Sequence, residues 1–139
     1  MISRAGFAGA SLAAVASIIG LIPSSPASAA TPNCTQRNLW GSTDSGVGFV
    51  WAPMSTSGSV SCSMKIGANN DAVYALQDSI VHCYHISITV DGDFGTNTKN
   101  ALITVQSRIG TSADGEYGPL TAAKIIMRPQ DTVKACGHL

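Results

Sequence analysis

Asp91-Gly92-Asp93-Phe94-Gly95-Thr96-Asn97-Thr98 recurs 23 residues later as Asp114-Gly115-Glu116-Tyr117-Gly118-Pro119-Leu120-Thr121. Both copies read D-G-acid-aromatic-G-x-x-T. Asp-Gly favours a tight turn, because glycine takes a positive φ without steric cost. The Thr three residues beyond the second Gly falls where a helix begins. The second half of the chain is therefore organised around a turn–helix unit used twice.

Helical periodicity is legible on either side of the first copy. Asn69 and Asn70 offer caps, Asp71 complements the helix dipole, and Val73, Leu76, Ile80 and Cys83 fall on one face. These features predict a helix over 71–83. Ile86, Ile88 and Val90 alternate with Ser87 and Thr89, as in an extended segment. A second helix is predicted over 96–109, with Ala101, Leu102, Val105 and Ile109 as its apolar stripe and Gly110 as its left-handed terminator. A short third helix is predicted from Pro119 to Met127, opened by Pro119 and stopped by Pro129. The tail to Leu139 reads as irregular, with His138 frayed and Cys136 pinning the tail back.

Before the first helix the pattern changes. Ala30 to Ser61 has no helical period and is rich in Gly, Ser and Thr; Val47-Gly48-Phe49-Val50-Trp51, closed by Pro53, predicts one or two short strands or an ordered loop. The first 29 residues read as a secretory signal peptide. Arg4 is followed by an apolar run from Phe7 to Ile22 and an Ala27-Ser28-Ala29 cleavage signal. That run falls short of the roughly 20 residues a membrane anchor needs. The reading divides the chain into a signal peptide (1–29), an arm (30–61) and a small domain with its tail (62–139), and implies no membrane association after cleavage. Asn33-Cys34-Thr35 is a glycosylation sequon that a bacterial-type signal leaves unmodified.

Beyond residue 29, seven Lys and Arg face eight acids. With no basic patch, nucleic acid is not an expected partner. Cys34, Cys62, Cys83 and Cys136 all lie in this region, and an even count in a small secreted chain implies two disulfides with three possible pairings. A zinc site at His82-Cys83-Tyr84-His85 is disfavoured, because consecutive residues do not converge on one ion and no C-x-x-C is present. A calcium loop at 91–102 fails too: Gly95 and Thr96 stand where it wants Asp or Asn and then Gly, and no Glu occupies position 102. No metal or cofactor is expected.

The stretch Gly67 to Ile125 resembles the peptidoglycan-binding domain family, small three-helix modules attached to many bacterial cell-wall hydrolases. Gly67, Val73, Leu76, Gln77 and Ile80 carry the first block of that likeness. Asp91, Gly92, Phe94, Gly95, Thr98, Ala101, Leu102, Gln106 and Gly110 carry the second. Asp114, Gly115, Gly118, Pro119, Thr121 and Ile125 carry the third. Asn70 departs from the usual second glycine of the first block, and Val105 from the usual Phe before Gln106. The resemblance implies a mainly α fold: a three-helix bundle with tight DG turns, plus a disulfide-tied, irregular or short-β arm. The extra cysteines look like those of secreted actinobacterial members. That likeness, with the placing of the cysteines along the chain, implies Cys62–Cys83 and Cys34–Cys136.

The resemblance further implies a secreted, wall-associated, non-catalytic binder of peptidoglycan, acting alone or beside a separate cell-wall hydrolase or other secreted protein. Such a ligand calls for a shallow groove with amide and hydroxyl partners and an apolar or aromatic floor. Gln77, Asn100 and Gln106 offer amides; Tyr84, Phe94 and Tyr117 offer rings; Asp91 and Asp93 sit in the first turn, which with the second would frame the groove. Each has a plainer reading. The Asp residues can accept backbone N–H bonds within their turns, Phe94 and Tyr117 can plug the core, and the Gln residues can bridge helices. Trp40 and Trp51 could stack on sugars or simply be buried. Two rival classes remain. A cell-wall hydrolase is disfavoured, because the symmetric turn acids lack the differing environments of a catalytic pair and no nucleophile-elbow or zinc-protease signature occurs. A secreted protein–protein interaction module, such as a protease inhibitor or adhesin on the same fold, is the stronger alternative.

Overall fold

A computed structural model describes residues 28–139. The signal-peptide reading falls, but for its last two residues, outside the described residues. Two strands, β1 (Gln36–Gly41) and β2 (Phe49–Met54), open the chain as an antiparallel hairpin in which Leu39 faces Trp51 and Trp40 faces Val50. The outer edge of β2 is extended by the chain near Pro129: Trp51 N–H donates to Arg128 O at 2.9 Å, and Gln130 N–H to Phe49 O at 2.9 Å.

Helix α1 (Asp71–Tyr84) begins where Asn70 Oδ1 accepts the N–H groups of Ala72 and Val73, at 2.9 and 3.2 Å. This side-chain cap satisfies two of the donors that a helix start leaves without partners. It ends at His85 in the left-handed region (φ 55°). Helix α2 (Thr96–Ile109) runs from Gly95 to the left-handed Gly110 (φ 68°). The expected stripes face inward. Val73, Leu76, Ile80, Leu102 and Val105 are fully buried, with Phe94, Tyr117, Ile125 and Met127. Val47 and Val50 join the same core from the hairpin side.

Helix α3 is shorter than the periodicity predicts, covering only Pro119–Ala122. Ile126–Met127 instead forms strand β3, paired antiparallel with β4 (Gly137–His138). Pro129 disfavours helical geometry at Arg128. The ladder and a bond from Ile126 N–H to the Tyr84 hydroxyl (2.8 Å) engage this backbone as strand. The tail is correspondingly ordered to its end. His138 is held by Asp44 through its backbone N–H and through Nδ1, both at 2.8 Å, rather than fraying.

The disulfides differ from the implied pairing: they are Cys34–Cys62 and Cys83–Cys136. The backbone explains both. Cys34 N–H donates to Ser63 O and Ser63 N–H to Pro32 O, each at 2.8 Å, a parallel bridge that sets Cys34 beside Cys62. At the other end, Arg128 binds both carboxylate oxygens of Asp78 (2.7 and 2.8 Å) and its N–H donates to Ser79 Oγ (3.0 Å), laying β3 along α1. β4 returns beside β3 and brings Cys136 to the end of α1. Cys136 does pin the tail, but to α1 instead of the arm.

Candidate functional site

Both DG turns are built by one device. In the first, the Gln77 side chain projects from α1 into the turn. Its Oε1 accepts the N–H groups of Asp91 (3.0 Å) and Gly92 (2.8 Å). Its Nε2 reaches Asp91 Oδ1 (3.0 Å), Asp93 O (2.9 Å) and Thr98 Oγ1 (2.9 Å). In the second, Gln106 of α2 repeats the pattern. Oε1 accepts from Gly115 N–H (2.9 Å), and Nε2 reaches Asp114 Oδ1 (3.0 Å), Glu116 O (2.8 Å) and Thr121 Oγ1 (3.1 Å). Asp91 Oδ1 and Asp114 Oδ1 also accept the N–H two residues on, each at 2.9 Å. Gly92 and Gly115 take φ of 78° and 73°, and a Cβ at Gly115 would meet Lys99 Cγ at 2.6 Å. The repeat is thus a carboxamide plug: a helix inserts its Gln into the turn that launches the next helix.

This geometry settles where the candidate ligand residues lie. Gln77 and Gln106 are 1% exposed and Phe94 and Tyr117 0%, so these four side chains belong to the interior and offer a ligand no surface. Tyr117 Oη is buried without a hydrogen-bond partner among the described residues, and burial pushes its pKa well up. Tyr84 is half-buried with its hydroxyl used by Ile126 N–H, and burial raises its pKa as well. Asp91 is exposed but anchored in its turn; the Asp93 N–H first, and the Gln77 amide second, hold its carboxyl below the usual 3.8. Asp93 and Asn100 are exposed.

The two turns are held side by side by the segment 64–69: Met64 exchanges backbone bonds with Tyr117 at 2.9 Å each, Gly67 N–H donates to Phe94 O at 3.0 Å and Phe94 N–H to Ala68 O at 2.8 Å, while Gly115 packs against Lys99 near the start of α2. The turns line separate hollows with no shared residue, the second involving Ser63, Thr111, Ser112, Asp114 and Glu116. A groove lies between the extended segment 86–89 and the outer face of α2. Ile86, Ser87, Ile88 and Thr89 form one wall and Asn97, Asn100, Ala101 and Thr104 the other, around about 620 Å³. At Thr89 and Asn97 it runs into a smaller hollow of about 190 Å³ beside Asp91, Asp93 and Gly95. Of the candidates, the structure brings Asn100, Asp91 and Asp93 to this continuous surface, with Gln77 beneath it. The sequence reading missed Ser87, Thr89, Asn97 and Thr104. The Ile-Ser-Ile-Thr alternation was the available signal, because a period of two sets hydroxyls and isoleucines on opposite faces.

Chemically the groove is a row of hydroxyls and carboxamides over an isoleucine–alanine floor, with carboxylates at one end and no cation. Among the described residues no group of three or more His, Cys, Asp or Glu is placed to hold a metal ion, and Cys83 is committed to its disulfide. No helix among them is long and apolar enough to cross a membrane.

Residues 69–125 match the sequence model of a family described as "Putative peptidoglycan binding domain". The chain is also similar in structure to a peptidoglycan-binding protein from Clostridioides difficile, solved in complex with glutamine hydroxamate. The two are 24% identical, with a TM-score of 0.47, over 64% of this chain and 56% of that one. This chain thus spans little more than half of that protein's length. No curated protein matches the chain.

Proposed function

We propose that the protein, whose residues 69–125 match the peptidoglycan-binding family model, is exported from a bacterial cell and binds the wall without cleaving it. The observation that carries this reading is the groove along α2: Ser87, Thr89, Asn97, Asn100 and Thr104 over Ile86, Ile88 and Ala101. Neutral sugars and the amides of stem peptides need donors and acceptors of this kind on an apolar floor, with no strong field of either sign. Two disulfides support a location outside the reducing cytoplasm. The non-catalytic reading rests on the turn acids. Asp91 and Asp114 each spend one carboxylate oxygen on a backbone N–H and a Gln amide. The two acids thus sit in equivalent environments, whereas a glycosidase pair needs two differing ones.

Co-sedimentation of the oxidised protein with purified insoluble peptidoglycan tests the reading, with the supernatant assayed for released muropeptides. Saturable pelleting without release is the expected result. Release would make the protein a hydrolase. Absence of pelleting would turn the fold to the interaction class, and the search to secreted protein partners.

A further inference from the structure

A second pocket lies away from the α2 groove, built largely by parts of the chain outside the matched family segment. Trp40 of β1, Thr43, Val60, Ser61 and the C-terminal Leu139 meet Pro119, Ala122 and Ala123 of the α3 region around about 340 Å³. Trp40 is 37% exposed although it sits in a strand whose partner at that register, Val50, is fully buried. In a chain with two tryptophans, leaving one indole half open at a pocket mouth forgoes burial that a small core could use. Thr43 and Ser61 present exposed hydroxyls at the same mouth. No charged side chain lines the pocket.

We propose that this pocket binds a neutral pyranose ring of the acetamido-sugar type. One face of such a ring is C–H and stacks on an indole. Its edge carries hydroxyls, which Thr43 and Ser61 can meet, and its acetamido methyl suits the Val60–Ala122–Leu139 wall. A phosphate finds no counter-charge among the lining groups, and the volume is at the small end of the range for small-molecule sites. The arm thereby becomes part of the binding machinery. The sugar class is read from the pocket itself; only the polymer that carries the sugar rests on the wall-binding reading.

The test is titration of the oxidised protein with a tetramer of N-acetylglucosamine, followed by tryptophan emission and by amide chemical shifts. A saturable emission change is expected in the wild type and in Trp51→Phe. In Trp40→Ala the emission change should vanish and affinity by chemical shift should drop at least about tenfold. The shifts should centre on Thr43, Ser61, Ala122 and Ala123. Thr43→Val with Ser61→Ala, which leaves the indole in place, should weaken binding and keep the thermal midpoint. An emission change retained in Trp40→Ala, shifts confined to Thr89, Asn97 and Asn100, or a response to leucyl-leucine but not to the sugar would each overturn the proposal. The soluble sugar reports on the pocket whether or not the protein pellets with whole wall, so the two readings fail separately.

Discussion

His138 Nδ1 stands 2.8 Å from Asp44 Oδ2, and the same oxygen accepts the His138 backbone N–H at 2.8 Å. The penultimate residue is thereby tied to the loop between β1 and β2. The His138 N–H first, and its imidazole second, lower the Asp44 carboxyl below its usual 3.8. A carboxylate whose folded pKa is depressed adds stability above its unfolded pKa and loses it as pH falls through the folded value. The clasp is solvent-exposed and contributes modestly. Asp44→Asn should therefore lower the thermal midpoint slightly at pH 6, and the difference should shrink as the pH falls below 3.8, that convergence being the decisive observation in a series of melts.

The carboxamide plugs predict a much larger effect. Gln77→Ala would leave the Gly92 N–H, in a buried glycine, and the Asp91 N–H without their acceptor. At about 1–3 kcal/mol per buried group left unsatisfied, the loss should be at least about 2 kcal/mol. Gln77→Glu keeps the shape but sets a carboxylate against Asp91, so that variant should regain part of its stability on acidification. Urea unfolding at pH 7 and pH 4.5 measures both; equal losses at the two pH values would refute the electrostatic part.

Removing either disulfide as a Ser pair should cost about 3–5 kcal/mol in the chain-entropy account, with Cys83–Cys136 about half a kcal/mol more costly. The difference follows from sequence separations of 53 and 28 residues. Urea midpoints of Cys34→Ser/Cys62→Ser and Cys83→Ser/Cys136→Ser compare them. Peptide mapping without reduction checks the connectivity itself: a Cys62–Cys83 peptide would contradict it.

In the groove, Asn97→Ala combined with Asn100→Ala removes two exposed carboxamides without touching the core. Wall binding should weaken about tenfold or more while the thermal midpoint moves by less than about 2 °C, a pairing of results that a folding defect would not produce. Undiminished pelleting would remove this surface from the binding site.

The two long helices were legible to within a residue because their signals are local. Asn70 caps, Gly110 terminates, and Leu76, Ile80, Leu102 and Val105 recur at helical spacing. The DG repeat announced the turns for the same reason. The end of α3 was not legible, because Ile126 and Met127 are claimed by Gly137 and His138 across the fold. The cysteine partners were hidden likewise: the Asn33–Ser63 bridge and the Arg128–Asp78 pair that place them are long-range contacts. Gln77 and Gln106 were legible as amides near the turns, yet their spacing to the turns does not tell a plug from a ligand contact. That distinction needed their burial.

The Cys83–Cys136 bridge spans most of the second half of the chain. The 86–89 wall, α2, both DG turns, α3 and β3 all lie inside that covalent ring. A single proteolytic cut anywhere from 84 to 135 linearises the ring but releases no piece. Both faces of the groove would stay on one molecule, and the severed ends would be free to re-form their non-covalent contacts. Outside a cell, where proteases are common and resynthesis in place is impossible, the bridge makes the groove tolerant of a first nick.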